Sequence, residues 1–431
     1  MSQARVLIVG AGVGGLTLAQ GLTKAGIKAT VFEKDASSDF RAQGYRFRMN
    51  PQGSAAVKFL LPEALFAQFE QTAANTRVGS TRMNYDGTVL HSQEGVGALP
   101  GGPGPGIPMP NPGTPAEPSR PGQYSVYTVD RTLFRALLLQ NIDVRFGKQV
   151  ESYSLDSPSE GKVTIHFNDG SSDTGDFLVG ADGLRSAIRK QFLPQHIPVD
   201  TTGRCIYGKT PITPEVLEKL PKEMHSWMSM TRDDTRSKPL SLFAEPLYFS
   251  DVAKALSIKV LPQASEDYIY WALTGSPETF ELPDSQFLCL TPEQTVQHSL
   301  KITEKWAPAI RTIFELQTVE QAGPLRISSV VPGLPYWEPS PLMTLLGDAV
   351  HVMSPTGGVG ANTALKDCSA LYEVLRKAFV EDEGKVSVEA LGQYEAAMRV
   401  YAGEAVDRSQ QGGVKFYGQP PFEECKQVDW L

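Results

Sequence analysis

Three short turns bordered by glycine carry the residues of this sequence that could hold a large phosphorylated cofactor. Residues 10–15 read GAGVGG, residues 180–183 read GADG, and residues 347–348 read GD, followed by PTGGVG at 355–360. Glycine lets the backbone approach a phosphate or a planar ring, and helix N-termini attract anions. An aspartate at the end of a strand can accept hydrogen bonds from hydroxyl groups. Together these residue types predict the binding of a nucleotide.

The first turn lies in a predicted strand–helix–strand unit. Residues 5–9 (RVLIV) form a continuous apolar run typical of a buried parallel strand, a helix follows as far as Gly26, and residues 29–32 form the next strand. Glu33 stands 18 residues after Gly15, where a carboxylate binds the hydroxyls of a ribose. A carboxylate there accepts hydrogen bonds from an unphosphorylated ribose. The unit therefore predicts a site for FAD or NAD rather than for NADP.

The other two turns each place an aspartate between a strand and a helix. Residues 342–346 have the pattern of a buried strand, and helical spacing begins near Ala361. This order suits a sugar-alcohol chain bonded to Asp348 and an electron-accepting ring above the helix start. Asp182 could likewise bond a ribityl chain or a water linked to phosphate. The alternatives are an ordinary strand–loop–helix junction and, at Asp182, a tight structural turn.

The composition of the chain argues against several classes of protein. A chain of 431 residues is long enough for two or three domains, and 41% hydrophobic with 20% charged residues is ordinary for a globular protein. A net charge of −8 argues against nucleic acid as the main partner, and no apolar run reaches membrane-spanning length. Since the first strand begins by Arg5, we expect no signal peptide. Four separated cysteines without CxxC pairing predict reduced thiols, no metal site and a cytoplasmic location.

The elements between the turns are less regular in pattern. Residues 94–123 are rich in proline and glycine, which predicts a long surface excursion. Asp130 is predicted to cap a helix, and 163–167 is predicted to pair with 177–179 as a hairpin. Further strands are predicted at 204–209, 240–243 and 267–273. Seven large side chains are candidates for an apolar pocket, with plain core packing as the commoner alternative: Trp227, Met228, Met230, Phe243, Tyr248, Tyr270 and Trp271.

The three turns, in this order, resemble those of the single-component FAD-dependent aromatic hydroxylases. These are the group A flavoprotein monooxygenases with the para-hydroxybenzoate hydroxylase fold, and the resemblance covers nearly the whole chain. The segments LIVGAGVGGLTLAQGL and GRCIYGKTPIT are similar to fungal and bacterial members of secondary metabolism. We expect no thioredoxin-like third domain of the kind that the phenol hydroxylases carry.

The resemblance implies an α/β fold, in which a Rossmann-like FAD-binding domain is interleaved with a substrate domain built on a mixed or antiparallel β-sheet. The expected FAD-binding domain is discontinuous, over 1–80, 124–190 and 320–400. The substrate domain is expected over 81–123 and 191–319. Residues 401–431 are expected to form the end of the last helix and a tail.

Position by position, the resemblance also implies which residues hold FAD. They are Gly12, Val13, Gly14, Gly15, Glu33, Lys34, Arg41, Arg131, Asp182, Gly347, Asp348, Gly358, Gly360, Ala361 and Asn362. No dedicated catalytic base stands out in the sequence. The candidates for orienting or deprotonating a substrate, each with a structural alternative, are Arg46, Tyr207, Lys209, Pro355 and His225. Val359 and Lys366 depart from the family pattern.

The implied activity is that of a monooxygenase with bound FAD and with NAD(P)H and O2 as co-substrates. A flavin C4a-hydroperoxide would hydroxylate or epoxidise a small aromatic, polyketide-like or alkaloid-like molecule. The start of the last glycine-loop helix would stabilise negative charge on the flavin. No second GxGxxG is present, so NAD(P)H is expected to bind transiently to a monomer or homodimer. The alternatives are a flavoprotein oxidase or reductase without oxygen insertion, and a nucleotide-binding protein without turnover.

Overall fold

This computed structural model describes residues 4–37, 46–75, 77, 79–94, 126–156, 161–260, 266–382 and 384–428, apart from the side chains of 257–260. Within these residues the strands are β1 (Arg5–Val9), β2 (Lys28–Phe32), β3 (Arg46–Met49), β4 (Gly79–Asn84), β5 (Val89–Glu94), β6 (Tyr127–Asp130), β7 (Asp143–Arg145), β8 (Val150–Leu155), β9 (Val163–Phe167), β10 (Ser172–Gly175), β11 (Phe177–Gly180), β12 (Val199–Pro211), β13 (Met228–Asp233), β14 (Leu240–Leu247), β15 (Tyr268–Gly275), β16 (Gly323–Ser329), β17 (Met343–Leu345) and β18 (Lys426–Gln427).

The α-helices in the same residues are α1 (Val13–Lys24), α2 (Pro51–Leu60), α3 (Glu63–Thr72), α4 (Arg131–Leu138), α5 (Ala187–Phe192), α6 (Pro214–Lys219), α7 (Asp251–Val260), α8 (Pro277–Phe280), α9 (Asp284–Phe287), α10 (Pro292–Ile302), α11 (Pro308–Glu315), α12 (Asp348–His351), α13 (Gly360–Arg376) and α14 (Val388–Tyr417). Short 3₁₀ turns lie at 222–224, 319–321, 355–357 and 422–424, and a π-helical turn continues α13 over 377–381. None of the described helices combines the length and the apolar character that crossing a bilayer requires.

The first layer is a five-stranded parallel sheet with the order β17-β11-β1-β2-β7. The central strand β1 is apolar from Val6 to Val9, and Val6, Leu7 and Ile8 are fully buried, as expected of a parallel strand covered on both faces. The helices α1, α2 and α13 pack together against it. All three glycine turns begin at the carboxyl ends of adjacent strands in this sheet, β1, β11 and β17. This edge of a parallel sheet is where ligands bind in such folds.

The second layer is a mixed sheet with the order β16-β12-β15-β14-β13-β4-β5, and β18 pairs with β12 at its edge. Most of its pairs are antiparallel, whereas β13 and β4 run parallel. One face packs on α6, α10 and α11 through a separate apolar core that includes Leu242, Trp271 and Phe314. The other face is turned toward the parallel-sheet layer. The expected α/β fold with a mixed second sheet is therefore confirmed.

Several element predictions are corrected by the structure. The strand β9 does not pair with 177–179: its hairpin partner across the predicted turn is β10, and β11 instead joins the parallel sheet beside β1. The apolar run of β11 is explained by this position, because a strand buried on both faces needs no alternation. The strand β13 was not predicted. Most of the proline- and glycine-rich stretch 94–123 lies outside the described residues.

Candidate functional site

The first glycine turn is packed so closely that two of its glycines leave no room for a side chain. Gly10 has a φ of 107°, and a Cβ there would lie 2.3 Å from the carbonyl oxygen of Ala181. A Cβ on Gly15 would lie 2.2 Å from the carbonyl oxygen of Gly10. A Cβ on Gly12, by contrast, would meet nothing within 4 Å. Gly12 therefore borders open space at the start of α1, where a phosphate could approach the backbone.

The helix α1 begins at this turn without a side-chain cap. Its first hydrogen bond runs from the Leu16 N–H to the carbonyl oxygen of Gly12. Among the described residues, the N–H groups of Val13, Gly14 and Gly15 have no acceptor. These donors and the positive end of the helix dipole form a site that attracts an anion.

The carboxylate of Glu33 closes the turn from the end of β2. Its Oε2 accepts a hydrogen bond from the Ala11 N–H at 2.9 Å, and its Oε1 accepts one from the Asp35 N–H at 3.0 Å. Each oxygen keeps a second lone pair, which leaves capacity for a ribose hydroxyl. The side chain of Lys34, predicted as a further cofactor contact, is exposed to solvent.

The third turn exposes a carboxylate that has no partner in the part of the chain that the structure describes. Gly347 has a φ of 61° and ends the strand β17, and Asp348 follows as the first residue of α12. The side chain of Asp348 is exposed, although Ala349 and Val350 directly after it are fully buried. The left-handed conformation at Gly347 thus separates one outward carboxylate from a buried helix.

The helix α13 starts from the following loop and is also uncapped by a side chain. Gly358 has a φ of 63°, and the N–H groups of Gly360 and Ala361 have no acceptor among the described residues. The buried side chain of Asn362 accepts from the Asn50 N–H and donates to the Arg48 carbonyl oxygen, each at 2.9 Å, and so ties the start of α13 to the end of β3.

Asp182 acts first as a structural residue. Its Oδ2 accepts hydrogen bonds from the N–H groups of Ala187 and Ile188, at 2.7 Å and 3.4 Å, and so holds the start of α5. Its Oδ1 is buried and has no hydrogen-bond partner among the described residues. Burial raises the pKa of this carboxyl group above its ordinary value, although the bonds to α5 partly offset the effect. A free acceptor at this position leaves room for one further donor.

A buried arginine that the sequence did not single out braces the second turn against the third. The guanidinium of Arg189 donates to the carbonyl oxygen of Leu184 at 2.8 Å and to that of Ala349 at 3.0 Å. Leu184 follows the second turn, and Ala349 belongs to α12. The signal in the sequence was weak, because an arginine in a short polar helix is usually a solvated surface residue.

The three turns lie next to one another in space. Gly10 touches the backbone of Ala181 and Asp182, as described above. The Cys368 thiol in α13 donates to the Gly14 carbonyl oxygen at 3.1 Å, and a Cβ on Gly14 would lie 2.8 Å from a methyl group of Leu346. Residues hundreds of positions apart in the chain therefore form one continuous surface.

One face of the second sheet carries aromatic and apolar side chains, which pack in part against Phe416 near the end of α14. The register places Tyr207 beside Ala272, Ala272 beside Phe243, and Phe243 beside Met230 in a single row across four strands. All four are half-buried. Trp271 lies on the opposite face, fully buried against Phe314, which agrees with the alternative of plain core packing for this residue. Successive residues of a strand point to opposite faces, so Trp271 points into the core while the adjacent Ala272 points to the other face.

A buried ionic cluster joins this face to β3. The carboxylate of Glu245 is fully buried and pairs with Arg46 and with Arg48, each at 2.5 Å. The Arg46 guanidinium also lies over the ring of Tyr270, 5.6 Å from its centroid. Burial opposes ionisation of Glu245, but the two arginines outweigh it and hold its pKa below the ordinary value. Two guanidinium groups share one carboxylate, which leaves one positive charge in excess.

A second cluster involves Lys209. Its Nζ donates to Asp130 Oδ2 at 3.0 Å and lies 4.2 Å from the ring centroid of Tyr268. The Tyr268 hydroxyl donates to the same oxygen at 2.5 Å, while Asp130 Oδ1 caps α4 as predicted. Burial and the neighbouring carboxylate raise the pKa of Tyr268 well above its ordinary value. Lys209 therefore joins the sheet to α4 as an ion pair.

The remaining candidates are less closely tied to the turns. Arg131 is half-buried at the first position of α4 and has neither a hydrogen bond nor an ion pair with a described residue. Pro355 is exposed at the start of its 3₁₀ turn. His225 bonds the Leu220 carbonyl oxygen at 3.0 Å, in a separate group that includes the Tyr248 hydroxyl. Arg41 lies outside the described residues.

The geometry fits FAD. The start of α1 offers unpaired N–H groups for a pyrophosphate, and the start of α13 offers them for the polar edge of a flavin ring. The exposed carboxylate of Asp348 can accept hydrogen bonds from hydroxyl groups, which a ribityl chain carries. No cluster of metal-ligating side chains is present in the described residues.

Comparisons with known proteins agree with this geometry. A family profile described as an FAD binding domain matches residues 3–228 and 342–409, which include all three turns. The chain is 39% identical over 439 residues to the dual O-methyltransferase/FAD-dependent monooxygenase CTB3 of Cercospora beticola, covering 98% of this chain and 47% of that protein. It is 27% identical over 392 residues to the FAD-dependent monooxygenase thnD of Trichoderma harzianum, covering 88% and 84%. The chain thus spans about half the length of CTB3.

Solved structures show the same architecture. A crystal structure described as an FAD-containing monooxygenase of Photorhabdus luminescens superposes with a TM-score of 0.74 at 28% identity, covering 95% of this chain and 98% of that one. Klebsiella pneumoniae HpxO, crystallised with FAD and uric acid, superposes with a TM-score of 0.68 at 20% identity, covering 96% and 88%. The second comparison bears on the fold alone.

Proposed function

The chain belongs to the FAD-dependent monooxygenase family that this FAD-binding domain defines, and on that premise we propose that it inserts one oxygen atom into a small, electron-rich aromatic molecule. The co-substrates are NAD(P)H and O2. The observation that carries the proposal is the convergence of two uncapped helix starts and the free Asp348 carboxylate on one surface, beside an aromatic sheet face. When bound, FAD supplies the redox chemistry by accepting hydride from the nicotinamide and activating O2.

The residues of the three turns divide the work of binding. Gly12, Val13, Gly14 and Gly15 receive the pyrophosphate, and Glu33 receives the adenosine ribose. Asp348 accepts from the ribityl hydroxyls, and the N–H groups of Gly360 and Ala361 stabilise negative charge at the flavin ring. Arg131, Lys34 and Pro355 line the rim of the site. The Oδ1 of Asp182 accepts a hydrogen bond from a donor group of the cofactor or from a water bound to it.

The substrate lies against the half-buried row formed by Tyr207, Ala272, Phe243 and Met230. The excess positive charge of the Arg46, Arg48 and Glu245 cluster stands beside this row, and the Nε of Arg46 is buried without a hydrogen-bond partner among the described residues. An uncompensated buried cation favours a ligand that carries negative charge. We therefore expect the substrate to be a phenol, enol or aromatic acid whose acidic oxygen binds Arg46.

The chain's own side chains contribute to the reaction by binding and orientation. Arg46 stabilises the ionised form of the acidic oxygen, which makes the ring more electron-rich at the carbon to be oxygenated. The apolar row excludes water from the reacting atoms. The name of CTB3 gives it both an O-methyltransferase and an FAD-dependent monooxygenase activity. We infer that the half of CTB3 matched by this chain is its monooxygenase part.

The experiment is a screen of phenols, enols and aromatic acids with the purified, FAD-loaded protein. NADH and NADPH oxidation and O2 uptake are measured together, and products are identified by mass spectrometry. The proposal expects a substrate that accelerates NAD(P)H oxidation and gains one oxygen atom. Substrate-stimulated oxidation without oxygenated product would instead indicate an oxidase or reductase. A folded protein that binds no FAD would contradict the proposal at its first step.

A further inference from the structure

A fully buried aspartate lies directly beneath the turn that carries Asp348. The carboxylate of Asp367 in α13 has no exposed surface and accepts three hydrogen bonds. Its Oδ2 accepts from the Gly347 N–H at 2.8 Å and from His351 Nε2 at 2.6 Å. Its Oδ1 accepts from the Tyr401 hydroxyl at 2.7 Å. One side chain thus joins the third turn, α12 and α14.

The side chain of His351 provides the main electrostatic partner of the Asp367 carboxylate. Burial lowers the pKa of His351, but the adjacent Asp367 carboxylate outweighs burial and raises it above the ordinary value. The raised pKa favours the charged form of His351, and neither side chain has exposed surface. Asp348 lies close enough to raise the pKa of His351 further, and Lys366 stands over the Tyr401 ring, 3.8 Å from its centroid. Such a pair needs further hydrogen bonds to be tolerated in a core, and Gly347 and Tyr401 provide them.

The bond to Gly347 determines where the next side chain points. With φ of 61° and ψ of −145°, Gly347 reverses the chain between the buried strand β17 and the buried helix α12. Its N–H would be an unpaired buried donor without Asp367, and such a group costs about 1–3 kcal/mol. The reversal is what leaves Asp348 exposed while its neighbours on both sides are buried. The direction of the Asp348 carboxylate therefore depends on a residue 19 positions later in the chain.

We propose that Asp367 is a positioning residue for the cofactor. It does not touch FAD. It holds the Gly347 N–H and the His351 side chain, and so fixes the Asp348 carboxylate where the ribityl hydroxyls bind. The inference rests on the assignment of Asp348 to the ribityl chain under the proposed function. Asp367 gives no sign of this role in the sequence. It lies among the apolar residues of a helix, next to Lys366, which departs from the family pattern.

The test compares two core variants of α13 for FAD affinity. Apoprotein is titrated with FAD, and quenching of flavin fluorescence gives the Kd for wild type, Asp367→Ala and Leu371→Ala. Leu371 lies one helical turn later and is fully buried in apolar surroundings, so its truncation lowers stability without touching the turn. We expect the FAD Kd to rise at least about 10-fold in Asp367→Ala and to stay within about 2-fold of wild type in Leu371→Ala. Equal Kd values for the two variants, at similar melting temperatures, would overturn the proposal.

A double-mutant cycle with Asp348→Ala separates positioning from general damage. If Asp367 acts through Asp348, removing Asp348 costs much less affinity in the Asp367→Ala background than in wild type. Additive losses would contradict the proposal. Asp367→Asn keeps an acceptor for the Gly347 N–H, so it should retain a Kd within about 3-fold of wild type, and it serves in the cycle if Asp367→Ala fails to fold. An Asn variant that binds as weakly as the Ala variant also counts against the proposal. If wild type itself binds no FAD, the proposed function fails before this inference is reached.

Discussion

At the scale of single residues, two carboxylates with contrasting exposure dominate the site. Asp348 is exposed and has no partner in the described chain, whereas Glu245 is buried and serves two arginines. The first arrangement keeps an acceptor free for a ligand. The second commits its carboxylate to holding cations in place beside a sheet. Asp348 is the carboxylate that we propose for the ribityl chain, and Glu245 is the one that supports the proposed substrate side.

Replacing Asp348 by Ala should weaken FAD binding by about 10-fold or more, because a hydrogen bond to a charged group contributes about 1.5–3 kcal/mol. Stability of the apoprotein should change little, since the side chain is exposed. The matched control is Asp382→Ala, an exposed aspartate after the opposite end of α13. Isothermal titration with FAD measures both. Unchanged affinity in Asp348→Ala would remove the third turn from the cofactor site.

Glu245 and Glu395 are both fully buried but have opposite pKa shifts, which predicts opposite effects of mutation to Gln. Burial raises the pKa of Glu395, which the hydroxyl of Thr344 only partly offsets, whereas the paired arginines lower that of Glu245. Glu245→Gln leaves two buried cations unpaired and should cost about 3–5 kcal/mol of unfolding free energy at pH 7.5. Glu395→Gln should be neutral or stabilising at that pH.

The pH dependence provides the check on this pair. The stability contributed by Glu245 is present above its unfolded pKa and is lost as the pH falls through its lowered folded pKa. The stability contributed by Glu395 is present below its unfolded pKa and is lost as the pH rises through its raised folded pKa. Urea unfolding at several pH values should therefore show the Glu245→Gln deficit shrinking in acid. Parallel changes in both variants would refute the assignment of the two environments.

At the scale of elements, the start of α1 distinguishes a glycine needed by the ligand from one needed by the fold. Gly12→Ala adds a methyl group into open space and should leave apoprotein stability near wild type while weakening FAD binding at least about 10-fold. Gly15→Ala pushes a Cβ against the Gly10 carbonyl oxygen and should destabilise the apoprotein itself. Thermal unfolding without FAD and fluorescence titration with FAD separate the two. A Gly12→Ala protein with normal affinity would show that no phosphate approaches this turn.

The strand β14 provides a second paired experiment, because neighbouring residues face different layers. Leu242 is fully buried in the core below the sheet, and Phe243 is half-buried on the face toward the cofactor site. Leu242→Ala should lower the unfolding free energy by about 2–5 kcal/mol. Phe243→Ala should cost less stability, leave the FAD Kd unchanged and raise the KM for the substrate found in the screen. If Phe243→Ala leaves that KM unchanged, this row does not line the substrate site.

At the scale of the whole molecule, one cofactor would join segments of chain that are far apart in sequence. We expect ADP to slow amide hydrogen exchange at residues 10–15 and riboflavin to slow it at 347–362, with FAD slowing both at once. The reason is that each fragment carries only the groups for one end of the site. Mass spectrometry of exchanged peptides measures this directly. Protection of 347–362 by ADP alone would reverse the proposed orientation of the cofactor.

The sequence predicted those parts of the site that depend on local chemistry. The glycine spacing and the strand before it were sufficient for the α1 turn, and Asp130 was correctly predicted as a helix cap. The partner of β9 was predicted wrongly, and the choice between pocket and core stayed open for Trp271, because strand pairing and the face that a side chain takes depend on neighbouring strands. The domain limits and the roles of the individual site residues stay predictions. Glu245, Arg189 and Asp367 were not singled out, since each gains its meaning from a contact with a distant element.

By itself, the sequence determined that this chain forms strand–glycine turn–helix units and that it belongs with FAD-binding proteins. Those features follow from backbone freedom at glycine and from the apolar periods of short segments, which neighbouring residues already fix. Only the tertiary structure decided which carboxylates are free for a ligand and which are engaged in holding the turns. A carboxylate in a linear sequence has no stated partner, and its charge, exposure and direction depend on the donors that folding brings within 3 Å of it.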